Sequence, residues 1–337
     1  MKGPMIISIM LTVLGMTALI SLCLGRYPVT LGDLAGFAGL QISDGAAMDD
    51  RQYHILKNIL IDIRMPRIAA AILIGAALSV SGVVFQSMFI NPLVSPGILG
   101  VLAGASFGAA LGMILAKNWL VVQLGAFSFG LIAVFAAVAM SALGRVDRLL
   151  MLILGGIISG ALFTSLLSVV KYLADPYEQL PAIVYWLMGG LSAVDGNTVL
   201  AASGPIITGI LVLLFLSGYL NALSMGDEEA RSLGLNVNFL RFLFILMATV
   251  ISALTVVMGG IIGWVGLLIP HIARMIVGPD NRILLPASAL IGATYMLIAD
   301  DIARLLFSVE IPIGILTSLV GIPFFAFVLR KAKKGWN

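Results

Sequence analysis

Charge is scarce in this chain: 10% of its 337 residues are Asp, Glu, Lys or Arg, while 61% are apolar. A soluble protein of this size would lack the polar surface needed to stay dissolved, so the scarcity excludes a water-soluble globule and makes the bilayer the solvent. A single cysteine, Cys23, excludes an intramolecular disulfide and leaves no Cys-based metal site. There are two histidines, His54 and His271. They fall on opposite sides of the membrane in the topology below, so His271, with Arg274 and Pro270 beside it, reads as structural rather than as a metal or proton site. No lysine is preceded by glycine, so the GxxxxGK[ST] phosphate cradle is missing and any nucleotide energy must come from elsewhere.

What is abundant is apolar run. A hydrocarbon core about 30 Å thick takes about 20 apolar residues as helix, and the chain holds material for about ten crossings with short connections. The runs lie near 5–25, 68–90, 93–116, 119–143, 149–173, 197–217, 239–262, 264–277, 283–299 and 311–329. The whole length, 1–337, is therefore expected to be one all-α transmembrane domain. The run at 264–277 is interrupted by Pro270, His271 and Arg274, which predicts a short or partial span. Pro181 to Leu191 is too short to cross and predicts a half-helix dipping into the membrane. Met5 to Leu24 follows Lys2 in the manner of a secretory signal, but it is long enough to span and no small-residue cleavage site follows it. Leu22 before Cys23 also argues against a lipoprotein site.

Ten spans starting inside leave eleven of the nineteen Lys and Arg residues on the inner side and eight on the outer, with five acids inside and eleven outside. The bias places both termini in the cytoplasm, most firmly through Arg330, Lys331, Lys333 and Lys334. Arg64, Arg67 and Arg304 stand on the outer side against the rule, and interfacial snorkelling is one explanation for them. Asp300 and Asp301 read as interfacial caps or as partners of Arg304. The 37 glycines fall mostly inside spans. Gly97, Gly100, Gly104, Gly108 and Gly112 recur at spacings of three and four, which brings helix backbones close together and suits helices that shift against one another. The fifth span has no charge between Leu149 and Val170, only apolar residues, glycines and hydroxyls such as Ser159, Thr164, Ser165 and Ser168, a wall suited to weak passage rather than binding.

The polar connection at 218–238 contains GDEEARSLGL at 226–235. Asp227, Glu228 and Glu229 favour a helix N-terminus, Ala230, Arg231, Ser232 and Leu233 propagate it, and Gly234 is a candidate C-cap. A short, capped, charged helix on the cytoplasmic face is a better docking knob than a plain connector.

This segment resembles the coupling region of FecCD/BtuC-type permeases of type II ABC importers, and the resemblance covers nearly the whole chain. RMPR at 64–67, GAALSVSGVVFQSMFINPLVSPGILGVLAGASFGA at 75–109, WLMGG at 186–190, GGIIGWVGLLIPHIARMIVGPDNRILLPASALIGA at 259–293, IADDIAR at 298–304 and PIGILTSLVGIPFF at 312–325 follow the family pattern in order. One departure is Ile90, where the family often has a basic residue before Asn91 and Pro92.

The resemblance implies a homodimeric permease of the bacterial inner membrane, working with two ABC ATPase subunits and one periplasmic binding protein. It implies that Gly226 to Gly234 fit a cleft on the ATPase. Arg64, Arg67 and Arg304 would pair with glutamates on the two lobes of the binding protein. Ser159, Thr164, Ser165 and Ser168 on the fifth span, with Trp186, Met188 and Gly189 on the half-helix, would line the pathway. No covalent chemistry and no cofactor are expected in this chain, since ATP and Mg belong to the partner ATPase; lipid surrounds it, and nucleic acid is not an expected partner. The cargo would be an iron-siderophore, haem, cobalamin or a metal oxyanion, with the overall likeness lying toward the molybdate/tungstate branch. An ion-gradient-driven secondary transporter is the alternative, although it should carry intramembrane coupling charges. A serine protease pairing Ser159 with His271 is a remote third reading.

Overall fold

In lipid a backbone can satisfy its polar groups within one segment only as a helix, and the apolar runs among the described residues are helical. The computed structural model describes residues 2–42, 50–116, 118–143 and 148–332. Lys117, Arg145, Lys333 and Lys334, used in the charge count, lie outside them.

The elements are α1 (Lys2–Cys23), α2 (Leu31–Ile42), α3 (Asp50–Lys57), a π-helical turn (Asn58–Arg64), α4 (Met65–Met88), a 3-10 turn (Pro96–Leu99), α5 (Val101–Leu115), α6 (Trp119–Leu143) and α7 (Arg148–Leu173). They continue with α8 (Gln179–Leu187), α9 (Gly196–Phe215), α10 (Ser217–Leu223), α11 (Asp227–Ser232), α12 (Val237–Gly259), α13 (Val265–Val277), α14 (Asn281–Leu305) and α15 (Ile313–Ala332). Among the described residues, seven helical stretches are long and apolar enough to cross a membrane, and α5, α13 and most of α15 are shorter apolar helices. Together these ten helices fall on the ten apolar runs read from the sequence.

Helix α4 is the central post. It is buried along most of its length, from Arg67 to Met88, and packs against α14, α12, α13 and α9. Small residues permit that density. A Cβ on Gly75 would stand 2.1 Å from the Gly292 carbonyl oxygen of α14, and one on Gly108 would stand 2.1 Å from that of Gly125 in α6. The glycine stripe read in the third span is therefore a contact face, at which Gly104, Gly108 and Gly112 admit the backbone of α6.

Three expectations shift. The span placed at 93–116 is cut at Gly100, which adopts φ 84° and separates a 3-10 turn from α5. The stretch 26–67, read as an outer loop, is largely helical, because Val29, Phe37, Leu56 and Leu60 close a small apolar cluster of their own. The span placed at 283–299 runs on to Leu305, because Asp300, Asp301 and Arg304 are paired inside the bundle rather than ending the helix at water.

The bundle has two polar ends. At one, Arg67 of α4 meets Asp300 of α14. At the other, Ser87 of α4 donates to Asn281 of α14 at 2.9 Å. Arg67 and Asp300 are among the groups that the charge count assigned to the outer face, and Asn281 stands between Asp280 and Arg282, which it assigned to the inner face.

Candidate functional site

At the end of the bundle that carries Asn281, the connection between α9 and α12 folds into α10 and α11. Gly226 takes φ 125°, a conformation closed to residues with a Cβ, and turns the chain out of α10. Asp227, Glu228 and Glu229 occupy the first turn of α11, where the exposed N–H groups favour negative charge. Gly234 ends it at φ 78°, and its N–H donates to Arg231 O at 2.9 Å while Leu235 N–H donates to Ala230 O at 3.2 Å, the pattern of a left-handed C-cap.

The knob is held by two contacts. Ala230 is fully buried, and Asp227 accepts from the buried guanidinium of Arg241 in α12, with one of the bonds at 3.3 Å. Arg231, Ser232, Leu233 and Gly234 remain exposed, with Met225 and Leu233 each more than 60% accessible. The result is an exposed, anchored short helix with an acidic head and an apolar tip. Next to it, Asp280 caps α14 and accepts from Asn221 of α10 at 2.7 Å and from Arg282 N–H at 3.0 Å, bonds that hold its carboxyl below the usual range.

At the opposite end of the bundle the three singled-out arginines are buried. Arg64 donates to Leu22 O and Tyr27 O, closing the last turn of α1. Arg67 presents Nε to both oxygens of Asp300 at 2.9 Å and its two terminal nitrogens to Glu310 at 3.1 and 3.0 Å. Arg304 pairs with Asp300 at 3.3 Å and with Asp301, and it donates to Ser21 at 3.2 Å. Ser21 in turn donates to Asp301 at 2.8 Å. One network thus ties α1, α4, α14 and the connection from α14 to α15. Asp300 and Asp301 do pair with Arg304, but Asp300 is only 1% exposed, so it is no interfacial cap.

The proposed pathway residues separate onto two faces of α7. Thr164, Ser165 and Ser168 are exposed along one side, with Thr164 and Ser168 returning their hydroxyls to carbonyls one turn earlier. Ser159 is turned the other way, buried and donating to Ala133 O of α6 at 2.7 Å. Trp186 on α8 and Gly189 just after it line a cavity of about 660 Å³ shared with Met113, Trp119, Tyr185 and Met258. Met188 faces a second cavity with Trp264 and Ser318. The half-helix is pinned at its end: Gly190 N–H donates to Gly259 O at 2.8 Å, and Gly189, at φ 71°, packs where a Cβ would stand 2.3 Å from Ile261 O. His271 lies against the rings of Phe324 and Phe325, which gives it a packing role.

Two features of this site escaped the sequence reading. Asp227 and Arg241 are fourteen residues apart and could have been suspected from their charge. Arg67 and Glu310 are 243 residues apart, and nothing local connects them.

A ten-span helical bundle with a polar knob at one end and an ionic cluster at the other defines the class: a multi-pass membrane permease. The match to the FecCD transport family runs over residues 11–331. The chain is 39% identical to the molybdate import system permease protein MolB of Haemophilus influenzae, over 98% of this chain and 97% of that protein. It is 37% identical to the cobalamin import system permease protein BtuC of Halobacterium salinarum, over 90% of this chain and 81% of that one. It superposes with a TM-score of 0.87 and 38% identity on an inward-facing conformation of a metal-chelate type ABC transporter, covering 97% of this chain and 99% of the other. The chain belongs to the FecCD transport family and is the non-catalytic permease subunit of an ABC importer, whose working partners are an ATPase and a binding protein.

Proposed function

We propose that this chain forms a homodimer, twenty spans around a central pathway, in a bacterial inner membrane with both termini in the cytoplasm. Two ATPases sit on the inner knobs and one periplasmic binding protein on the outer end, and cargo moves from periplasm to cytoplasm by alternating access. The observation that carries this reading is the protruding α11, braced on Asp227–Arg241 and Ala230, because a rigid lever is what a separate motor needs to move helices. Gly226 to Gly234 form the contact with the ATPase, which binds the ATP and Mg. Thr164, Ser165 and Ser168, together with Trp186, Met188 and Gly189, face the pathway; Ser159 supports α7 from behind.

The cargo is a metal chelate or a metal oxyanion: an iron-siderophore, haem, cobalamin, or molybdate and tungstate. Likeness to MolB favours the oxyanion, likeness to BtuC the chelate. The outer ionic cluster serves as the docking surface, with Arg64, Arg67 and Arg304 as its cations, since a guanidinium fork suits a carboxylate on the incoming protein.

The deciding measurement is uptake into proteoliposomes holding the permease, its ATPase and its binding protein. Uptake is expected to need ATP and all three proteins and to ignore a proton or sodium gradient; uptake that follows the gradient and ignores ATP would establish the secondary transporter instead. Calorimetric titration of the binding protein with molybdate and with ferric chelates separates the two cargo classes.

A further inference from the structure

The outer cluster is balanced: three guanidiniums, Arg64, Arg67 and Arg304, stand among three carboxylates, Asp300, Asp301 and Glu310. The carboxylates are not equivalent. Asp300 is 1% exposed, sits inside α14 and is shared between Arg67 and Arg304, so removing it would strand two buried cations. Asp301 is held by Arg304 and Ser21. Glu310 is 30% exposed and lies outside any helix, in the connection between α14 and α15, beside the exposed Val309. Of the three it alone can swing into water by side-chain rotation.

Glu310 also blocks what a docking partner would need. Its two oxygens occupy both terminal nitrogens of Arg67, a fork-to-fork pair that leaves the Arg67 side chain only 9% exposed. No outside carboxylate can reach that guanidinium while Glu310 is on it.

We infer that Glu310 is a placeholder: it covers the terminal nitrogens of Arg67 until a carboxylate on the binding protein displaces it. The inference rests on the docking reading above. The exchange replaces one charge-assisted pair by an equivalent one, so the buried cation never has to lie unpaired and docking is reversible. Competition from the internal acid keeps affinity moderate and slows unproductive encounters, and it makes the outer end selective for a partner that offers an acid in register.

The test uses the permease–ATPase complex in lipid nanodiscs and the purified binding protein, with association measured by surface plasmon resonance. Glu310→Gln and Glu310→Ala are each expected to tighten binding about tenfold, mainly through a faster on-rate, because the competing charge is gone. Arg304→Gln is expected to weaken it about tenfold. If both Glu310 variants bind no better than the parent, or if neither assembles, Glu310 is a fixed structural partner and the inference is overturned. In that event loss of binding by Arg304→Gln, in a complex that still assembles and melts at the parent's temperature, leaves the docking reading standing. If Arg304→Gln also binds normally, the docking surface lies elsewhere and the reading beneath the inference falls with it.

Discussion

Ile90 sits in left-handed backbone at φ 50°, a region in which a β-branched side chain crowds the following carbonyl. It follows Phe89 at the end of α4, where Asn91 N–H donates to Gln86 O at 3.1 Å and Ile90 N–H to Ser87 O at 3.3 Å, the closing pattern that usually carries glycine. The side chain is 58% exposed and so recovers little by burial. Ile90→Gly is therefore expected to stabilise the protein by about 1 kcal/mol, readable as a raised midpoint in thermal denaturation of the detergent-solubilised chain. A lowered midpoint would mean that the exposed apolar surface at this turn has a partner that holds it.

In the proposed coupling the element that matters most is α11. Six residues are too few for a stable helix in water, so its shape depends on what anchors it. Arg241 is that anchor: its side chain is 9% exposed and reaches from α12 to Asp227, while the second bridge to Asp227, from Arg231 at 3.7 Å, is exposed and adds little. Arg241→Ala is expected to loosen the knob and weaken retention of the ATPase about tenfold in co-purification, whereas Arg231→Ala, by removing only the exposed bridge, should leave the helix formed. Equal assembly by parent and Arg241→Ala would show that Ala230 burial alone fixes α11.

At the scale of the whole molecule the claim to test is sidedness. The two polar ends of the bundle are chemically distinct, one carrying the acidic-headed knob and the other the buried arginine–carboxylate network. The Lys and Arg bias assigns the knob to the cytoplasm. With Cys23 replaced by serine, Leu233→Cys, at a position 62% exposed on the knob, should react with a membrane-impermeant maleimide in inside-out vesicles and not in right-side-out ones. The reverse pattern would invert the topology and with it the direction of transport.

Much of the architecture was legible in residue order. Long apolar runs have one solution in lipid, so the approximate bounds of the apolar helices followed from hydropathy, and Gly234 marked the end of α11 because that position needs left-handed backbone. The absence of a phosphate cradle pointed to an outside motor for the same kind of reason, since the missing residues are adjacent in sequence. What only the tertiary structure decided depends on residues far apart in the chain. That α14 continues through Asp300, Asp301 and Arg304 rests on Ser21 and Arg67 lying beside them. That Ser159 faces α6 while Thr164 and Ser168 face outward rests on the rotation of α7, which its nearly uniform apolar sequence leaves open and packing against Ala133 settles. That Arg67 is covered rests on Glu310, 243 residues away. Local composition sets the cost of burying a segment, and therefore that it spans; only the fold brings opposite charges from distant segments within bonding distance and selects which of them stay buried together.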